Sequence, residues 1–370
     1  EILLQTQQTI QIIQQRQYRV GSKERMGSSL LRLATEVRSS NPSCLTIVVL
    51  WNRLAKSVHG ELKEALKPVL SQCVTEKVVH HMVKRSNPQL ATSQIRNLAL
   101  AVLTEAGLQP WVLADALNHD LHIGIDVLFG RVGYHFLYGT GGRLIQRHFG
   151  QSISRGRMRE AIKKPELRKR LEESIRSIVE EGHKLRSIII HRDGRWWPSE
   201  SAALHEAIAS LKEQGILPAD VRCAVVEIRK NHLPVRLFTA VEETTEFLQN
   251  PLLGSYRILD KQRSLLTPTG RPGAWDGSRG RTAGNLLLEV VDTIGEVDIR
   301  DITEDTYYLT HLNWNAPDIE IAHPVTIRWT DESLRETFRS PTEEEDEEDI
   351  DDTVFDEWDS TLFYEEEVVI

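Results

Sequence analysis

Cysteine is scarce and scattered. Cys44, Cys73 and Cys223 are the three thiols in 370 residues. An odd count with no close pair argues against a disulfide framework and against a cysteine-based zinc site, and points to a reducing, cytoplasmic setting. Long apolar runs are missing too. None approaches the roughly 20 residues that span a bilayer, so no membrane partner is expected. No signal peptide is visible. The chain opens on Glu1 rather than Met, which is compatible with a missing N-terminal portion. Basic residues vanish at the far end: from Pro341 to Ile370 there are fifteen Asp and Glu and no Lys or Arg.

That last absence changes the meaning of the net charge of −9. Without the terminal acids, 45 basic residues face 39 acidic ones, a balance of +6 over the first 340 positions. A mildly basic body with an acidic tail suits a nucleic-acid partner and a tail that competes for the same surface. The simpler alternative is a solubilising tail. Residues 343–352, EEEDEEDIDD, are low in complexity and expected to be disordered. The chain as a whole is 40% apolar and 27% charged, ordinary for a globular protein, and long enough for two domains.

Residues 1–40 read as a Gln-rich N-terminal helix and linker. Leu45–Trp51 is a continuous apolar run of strand length, as in a buried parallel strand. Helical spacing follows at about 57–68 and 90–106, with a short strand expected at Val74–Val79. Alternating strand and helix implies a small α/β unit. Pro110 ends it. Inside it, His59 and Lys63 lie four apart on one helix face, with Gln72 downstream. Together they can form an anion pocket, or they can simply be a solvated face.

Leu121–Thr140 opens a second unit as a hairpin turning at Gly130-Arg131. Ile123, Ile125 and Val127 share one strand face, and Asp126 points to the other. A carboxylate in an apolar strand needs a partner. A bound cation supplies one; a local strand-end turn is the plainer explanation. Arg143–Glu181 is rich in bases and helical from about Arg157. Such a stretch can neutralise phosphates or be an ion-paired surface helix. Ser187–His191 is a buried strand that sets Asp193 at its carboxyl end, where open α/β sheets keep their sites. A helix at Pro198–Gln214 and a strand at Val221–Ile228 follow. Pro268 to Gly280 reads as irregular loops or a hairpin. Asp331 comes just after an apolar segment ending at Trp329, and Glu332–Phe338 is helical.

Three Asp residues near strand ends or helix starts, with one Glu, can hold two divalent cations for phosphodiester cleavage. Hard oxygen donors select Mg²⁺ or Mn²⁺ over Zn²⁺. The motifs Gly124-Ile-Asp-Val127, His191-Arg-Asp-Gly194 and Pro324–Asp331, with Tyr308-Leu-Thr-His-Leu-Asn-Trp314 before the last, occur in that order. In this the chain resembles the MID–PIWI half of a prokaryotic Argonaute over roughly residues 45–340. The resemblance implies a small Rossmann-like MID domain (41–115) and a ribonuclease H-like PIWI domain with a mixed sheet (116–340), flanked by the 1–40 linker and the 341–370 tail. It implies a catalytic set of Asp126, Glu160, Asp193 and Asp331, with the three Asp as metal ligands. Glu160 lies midway between the first two; Glu166 and Glu172 compete for its role. It further implies a pocket for the guide 5′ end at His59, Lys63 and Gln72. The family's further lysine aligns with Glu105, a departure from the pattern: an acid there repels a phosphate, so either a metal intervenes, or the guide end is unphosphorylated, or the pocket is degenerate.

The expected activity is guided, two-metal cleavage of a target strand, DNA or RNA, in defence against foreign nucleic acid. A silent guide-binding module that recruits or activates a protein effector is the alternative. A guide-free ribonuclease H-like nuclease is a third.

Overall fold

The computed structural model describes residues 35–36, 46–50, 71–84, 88–105, 111–128, 130–139, 144–151, 161–230, 235–240, 248–269, 284–312, 314 and 321–338. Two sheets organise them, with a separate two-stranded pair. In the first, β1 (Thr46–Leu50) runs parallel to β2 (Ser71–Thr75), in register from Thr46↔Ser71 to Leu50↔Thr75. The helices α1 (Glu76–Lys84) and α2 (Pro88–Glu105) follow. The short strand therefore ends earlier than the apolar pattern suggests. Val78 and Val79 belong to α1, whose N-terminus opens at Thr75 with the threonine hydroxyl accepting the Val78 N–H at 3.4 Å. Parallel strands joined by a long connection are the α/β arrangement expected here.

The second sheet has eight strands in the order β10-β11-β12-β7-β6-β3-β4-β5. Its centre is parallel: β3 (Leu121–Leu128) pairs with β6 (Ser187–Asp193), and β6 with β7 (Arg222–Arg229). The hairpin partner β4 (Arg131–Tyr138) and β5 (Leu144–Gln151) extend one side antiparallel. Gly130 takes φ 69° at the hairpin turn, a conformation glycine adopts without a Cβ penalty. On the other side β12 (Leu286–Ile294), β11 (Arg263–Leu266) and β10 (Tyr256–Ile258) complete the mixed sheet. The separate pair is β8 (Thr239–Ala240) with β9 (Leu248–Gln249).

Strand alternation sorts the two faces. Leu121, Ile123, Ile125, Ile188 and Ile190 join one core with the apolar stripes of α3 (Lys164–Glu180) and α4 (Pro198–Glu213). Leu167, Leu171, Ile175 and Ile178 form the stripe of α3 at helical spacing. Ile189, Ala224, Val226 and Leu288 face the opposite way, toward α5 (Ile299–Leu309) and α6 (Val325–Phe338). Helices on both faces bury the parallel centre of the sheet. The segment entering β3 is pinned to the α5–α6 side: Trp111 donates to the His311 carbonyl at 2.8 Å, and Trp314 donates to the Trp111 carbonyl at 2.9 Å.

Two expectations need correction. The charged helix begins at Lys164, with a proline in its first turn, not near Arg157. Asp331 lies inside α6, seven residues into it, rather than at a helix start. The LLLEVVDTI run, given no element above, forms the full sheet strand β12.

Candidate functional site

Register brings two of the three aspartates together. Along β3 and β6 the parallel pairs include Gly124↔His191 and Ile125↔Arg192. One step further sets Asp126 beside Asp193, on strands about 4.8 Å apart. Both project from the α6 side of the sheet, because Asp126 shares its face with His122 and Gly124, and Asp193 with Ile189 and His191.

Glycine brings the third. Only a residue without a Cβ fits at position 124: a Cβ there would lie 2.1 Å from the Thr326 carbonyl oxygen. At Gly133 on β4 it would lie 2.6 Å from the Thr330 methyl. α6 therefore rests directly on β3 and β4. The contact is fixed by polar links as well, His191 Nδ1 to Thr326 Oγ1 at 2.8 Å and His135 Nδ1 to Thr330 Oγ1 at 3.0 Å. The next residue along the helix is Asp331.

The electrostatics register this convergence. Asp126 is 8% exposed. Burial first, then the charges of Asp193 and Asp331, push its carboxyl up to about 7, against the pull of Arg192 and a 2.7 Å hydrogen bond from the Val127 N–H. Carboxylates crowded in a low-dielectric site cannot all ionise without a cation. Asp331 is partly neutralised by Arg335 one turn on, at 3.0 Å.

Two buried residues beneath the site were not singled out by sequence. Arg192 is fully buried, and its guanidinium donates to the Asp193 carbonyl. Glu200, also fully buried, accepts from the Ile162 N–H at 2.7 Å and the Trp197 N–H at 3.0 Å. Burial pushes Glu200 up, while Arg192 and these two donors pull it back. Glu200 thus anchors the chain at Ile162. Glu160, two residues earlier, lies outside the described residues, as do His59 and Lys63. Gln72 sits in β2 and Glu105 ends α2. The competitors Glu166 and Glu172 belong to α3, across the sheet from Asp126, and Glu172 is ion-paired with Arg168 at 2.9 Å.

The bases of α3 follow the plainer reading. Lys164 and Arg168 pair with Glu206, and Lys169 and Arg170 with Glu173. They form an ion-paired surface rather than an open phosphate track.

A second polar cluster lies on the same face at the other end of β3. Among the described residues, His119, His122 and Asp305 form the group whose donor atoms converge as metal ligands do, all within 4.8 Å of one another. Asp305 Oδ2 is 2.7 Å from His119 Nδ1 and 3.1 Å from His122 Nε2. Burial works against the Asp305 charge, but these two hydrogen bonds outweigh it and hold the carboxyl below the usual range. His122 and Asp126 are four residues apart on an extended strand, about 13 Å, so the two clusters are distinct. The spacing H-x-x-H at 119–122 was the available sequence signal.

No family model and no curated protein matches the chain. Solved structures do. One is Clostridium butyricum Argonaute bound to a guide DNA (5′ deoxycytidine) and a 19-mer target DNA, with TM-score 0.66 and 19% identity over 86% of this chain and 40% of that one. Another is A. aeolicus Argonaute, with TM-score 0.57 and 18% identity over 87% of this chain and 42% of that one. The chain spans about two fifths of the length of each. Its fold is that of the MID–PIWI half of a prokaryotic Argonaute.

Proposed function

We propose that this protein is a nucleic-acid-guided endonuclease, in which Asp126, Asp193 and Asp331 hold divalent metal and Glu160 completes the catalytic set. The observation that supports the reading is geometric: strand register sets Asp126 beside Asp193, and the close approach at Gly124 and Gly133 seats the helix that carries Asp331 on the same face. An all-oxygen, acid-rich donor set fits Mg²⁺ or Mn²⁺. When bound, such ions supply activation of water and stabilisation of the leaving oxygen in phosphodiester hydrolysis.

The residues of the chain do the rest. Asp126 and Asp193 present their carboxylates from neighbouring strands, and α6 presents Asp331. Arg192 braces the end of β6 through the Asp193 carbonyl. Glu200 holds the chain at Ile162, next to the segment that carries Glu160. His59, Lys63 and Gln72 are proposed to receive the guide 5′ end. The Clostridium butyricum relative holds guide and target DNA; a guide paired to its target is the substrate proposed here, with defence against foreign nucleic acid as the role and the cytoplasm as the site of action.

Glu105 favours a second reading, a silent guide-binding module that recruits an effector, because an acid there opposes anion binding. Cleavage of a labelled target with matched, mismatched and no guide, in Mn²⁺ and in chelator, separates the readings. The proposal expects cleavage only with matched guide and metal. Binding without cleavage supports the silent module, and guide-independent cleavage a simple ribonuclease H-like nuclease.

A further inference from the structure

His119, His122 and Asp305 come from three elements: the segment entering β3, β3 itself, and α5. All three are buried, with His119 6%, His122 1% and Asp305 1% exposed. An ionised carboxylate only accepts, so both imidazoles donate to the same oxygen, Oδ2. The carboxylate is also held from behind. Its Oδ1 accepts the Asn118 N–H at 2.7 Å, and Oδ2 accepts the His119 N–H at 3.1 Å. Backbone donors that fix a ligand's orientation are the usual outer shell of a metal site.

The spacing suits a small ion. Zinc–ligand bonds of about 2.0–2.1 Å at tetrahedral angles put neighbouring donor atoms about 3.4 Å apart. The two observed nitrogen–oxygen separations, 2.7 and 3.1 Å, open to that value with small side-chain shifts as each neutral imidazole moves its proton to the other ring nitrogen and offers the vacated lone pair to the ion. His191 lies beside His122, with ring centroids 5.8 Å apart. Burial, then His122, push His191 well below the ordinary histidine range, so it is a neutral neighbour. Asn118 and Asp120 flank His119 at the surface.

We propose that His119, His122 and Asp305 bind one zinc-class ion that cross-links the segment entering β3 to α5, separate from the aspartate cluster. Two imidazoles and one carboxylate select Zn²⁺ or Co²⁺ over Mg²⁺. Three protein ligands leave a fourth position to water.

The test uses the full chain, stripped with chelator and held in excess Mg²⁺ so that the aspartates are occupied. Co²⁺ is then titrated and its visible absorption recorded, followed by displacement with Zn²⁺. The proposal expects one equivalent with four-coordinate cobalt bands, bleached by zinc. Asp193→Ala should keep the bands. His122→Gln and Asp305→Asn, checked for folding by circular dichroism, should bind more than about a hundredfold more weakly. The wild-type titration decides even where those variants misfold. No bands and no zinc uptake in the unaltered chain mean a hydrogen-bonded triad only, and overturn the site. Bands lost in Asp193→Ala but kept in folded His122→Gln also overturn it. Neither readout depends on nuclease activity.

Discussion

Asp126 is destabilising when ionised and useful for the same reason. Its folded value, about 7, lies above the ordinary 3.8. Between those values the folded chain binds more protons than the unfolded chain, so stability falls as pH rises from about 4 to about 7 and stays low above. At roughly 1.36 kcal/mol per unit of displacement, the ceiling is about 4 kcal/mol. In chelator, Asp126→Asn should therefore raise stability by about 2–4 kcal/mol at pH 8 and leave it nearly unchanged at pH 4. Urea unfolding at the two pH values checks this; equal effects at both would contradict it. Mn²⁺ competes with the same proton, so metal affinity should climb as pH passes through about 7. Glu105 carries a second residue-scale prediction. Its negative charge replaces the expected positive one, so guides with 5′-phosphate and 5′-hydroxyl ends should bind alike in metal-free buffer. Glu105→Lys should restore a preference for phosphate. A strong preference in the unaltered protein would refute that account.

The contact of α6 with β3 and β4 assembles the aspartates. Gly124→Ala drives a methyl into the Thr326 backbone, which no rotamer change relieves. It should cost about 3 kcal/mol and displace Asp331, lowering metal affinity as well as the unfolding midpoint. A variant with wild-type stability would remove α6 from the argument. At this scale the sequence is legible where a periodic pattern is strong. The 121–140 hairpin, the strand ending at Asp193 and the helix after Pro198 all follow from alternation, apolar runs and proline. What it hides are contacts between distant elements. The glycine of the G-I-D-V motif reads as a strand residue, and nothing local shows that a helix two hundred residues later rests on it. Asp331 reads as lying just outside its helix because the apolar run at Trp329 masks the start at Val325. Nothing local marks Asp305 as buried; two histidines, one from β3 and one from its approach, close over it. Glu200 reads as an ordinary first-turn acid, although it is buried and ties down Ile162.

Charge governs the whole molecule. The first 340 residues carry +6 and the remaining thirty carry fifteen acids. Guide and target binding should weaken steeply with added salt, since phosphate contacts release counterions. Deleting residues 341–364 should tighten non-specific binding if the acids compete for the basic surface; unchanged salt titrations would leave the tail a solubiliser. Lys164, Arg168, Lys169 and Arg170 of α3 are taken up in ion pairs with Glu206 and Glu173. The account stands or falls on the three aspartates. The most direct measurement compares the unaltered chain with Asp193→Ala for guide–target binding and for cleavage in Mn²⁺. The prediction is cleavage abolished with binding largely intact. Cleavage retained by Asp193→Ala would contradict it.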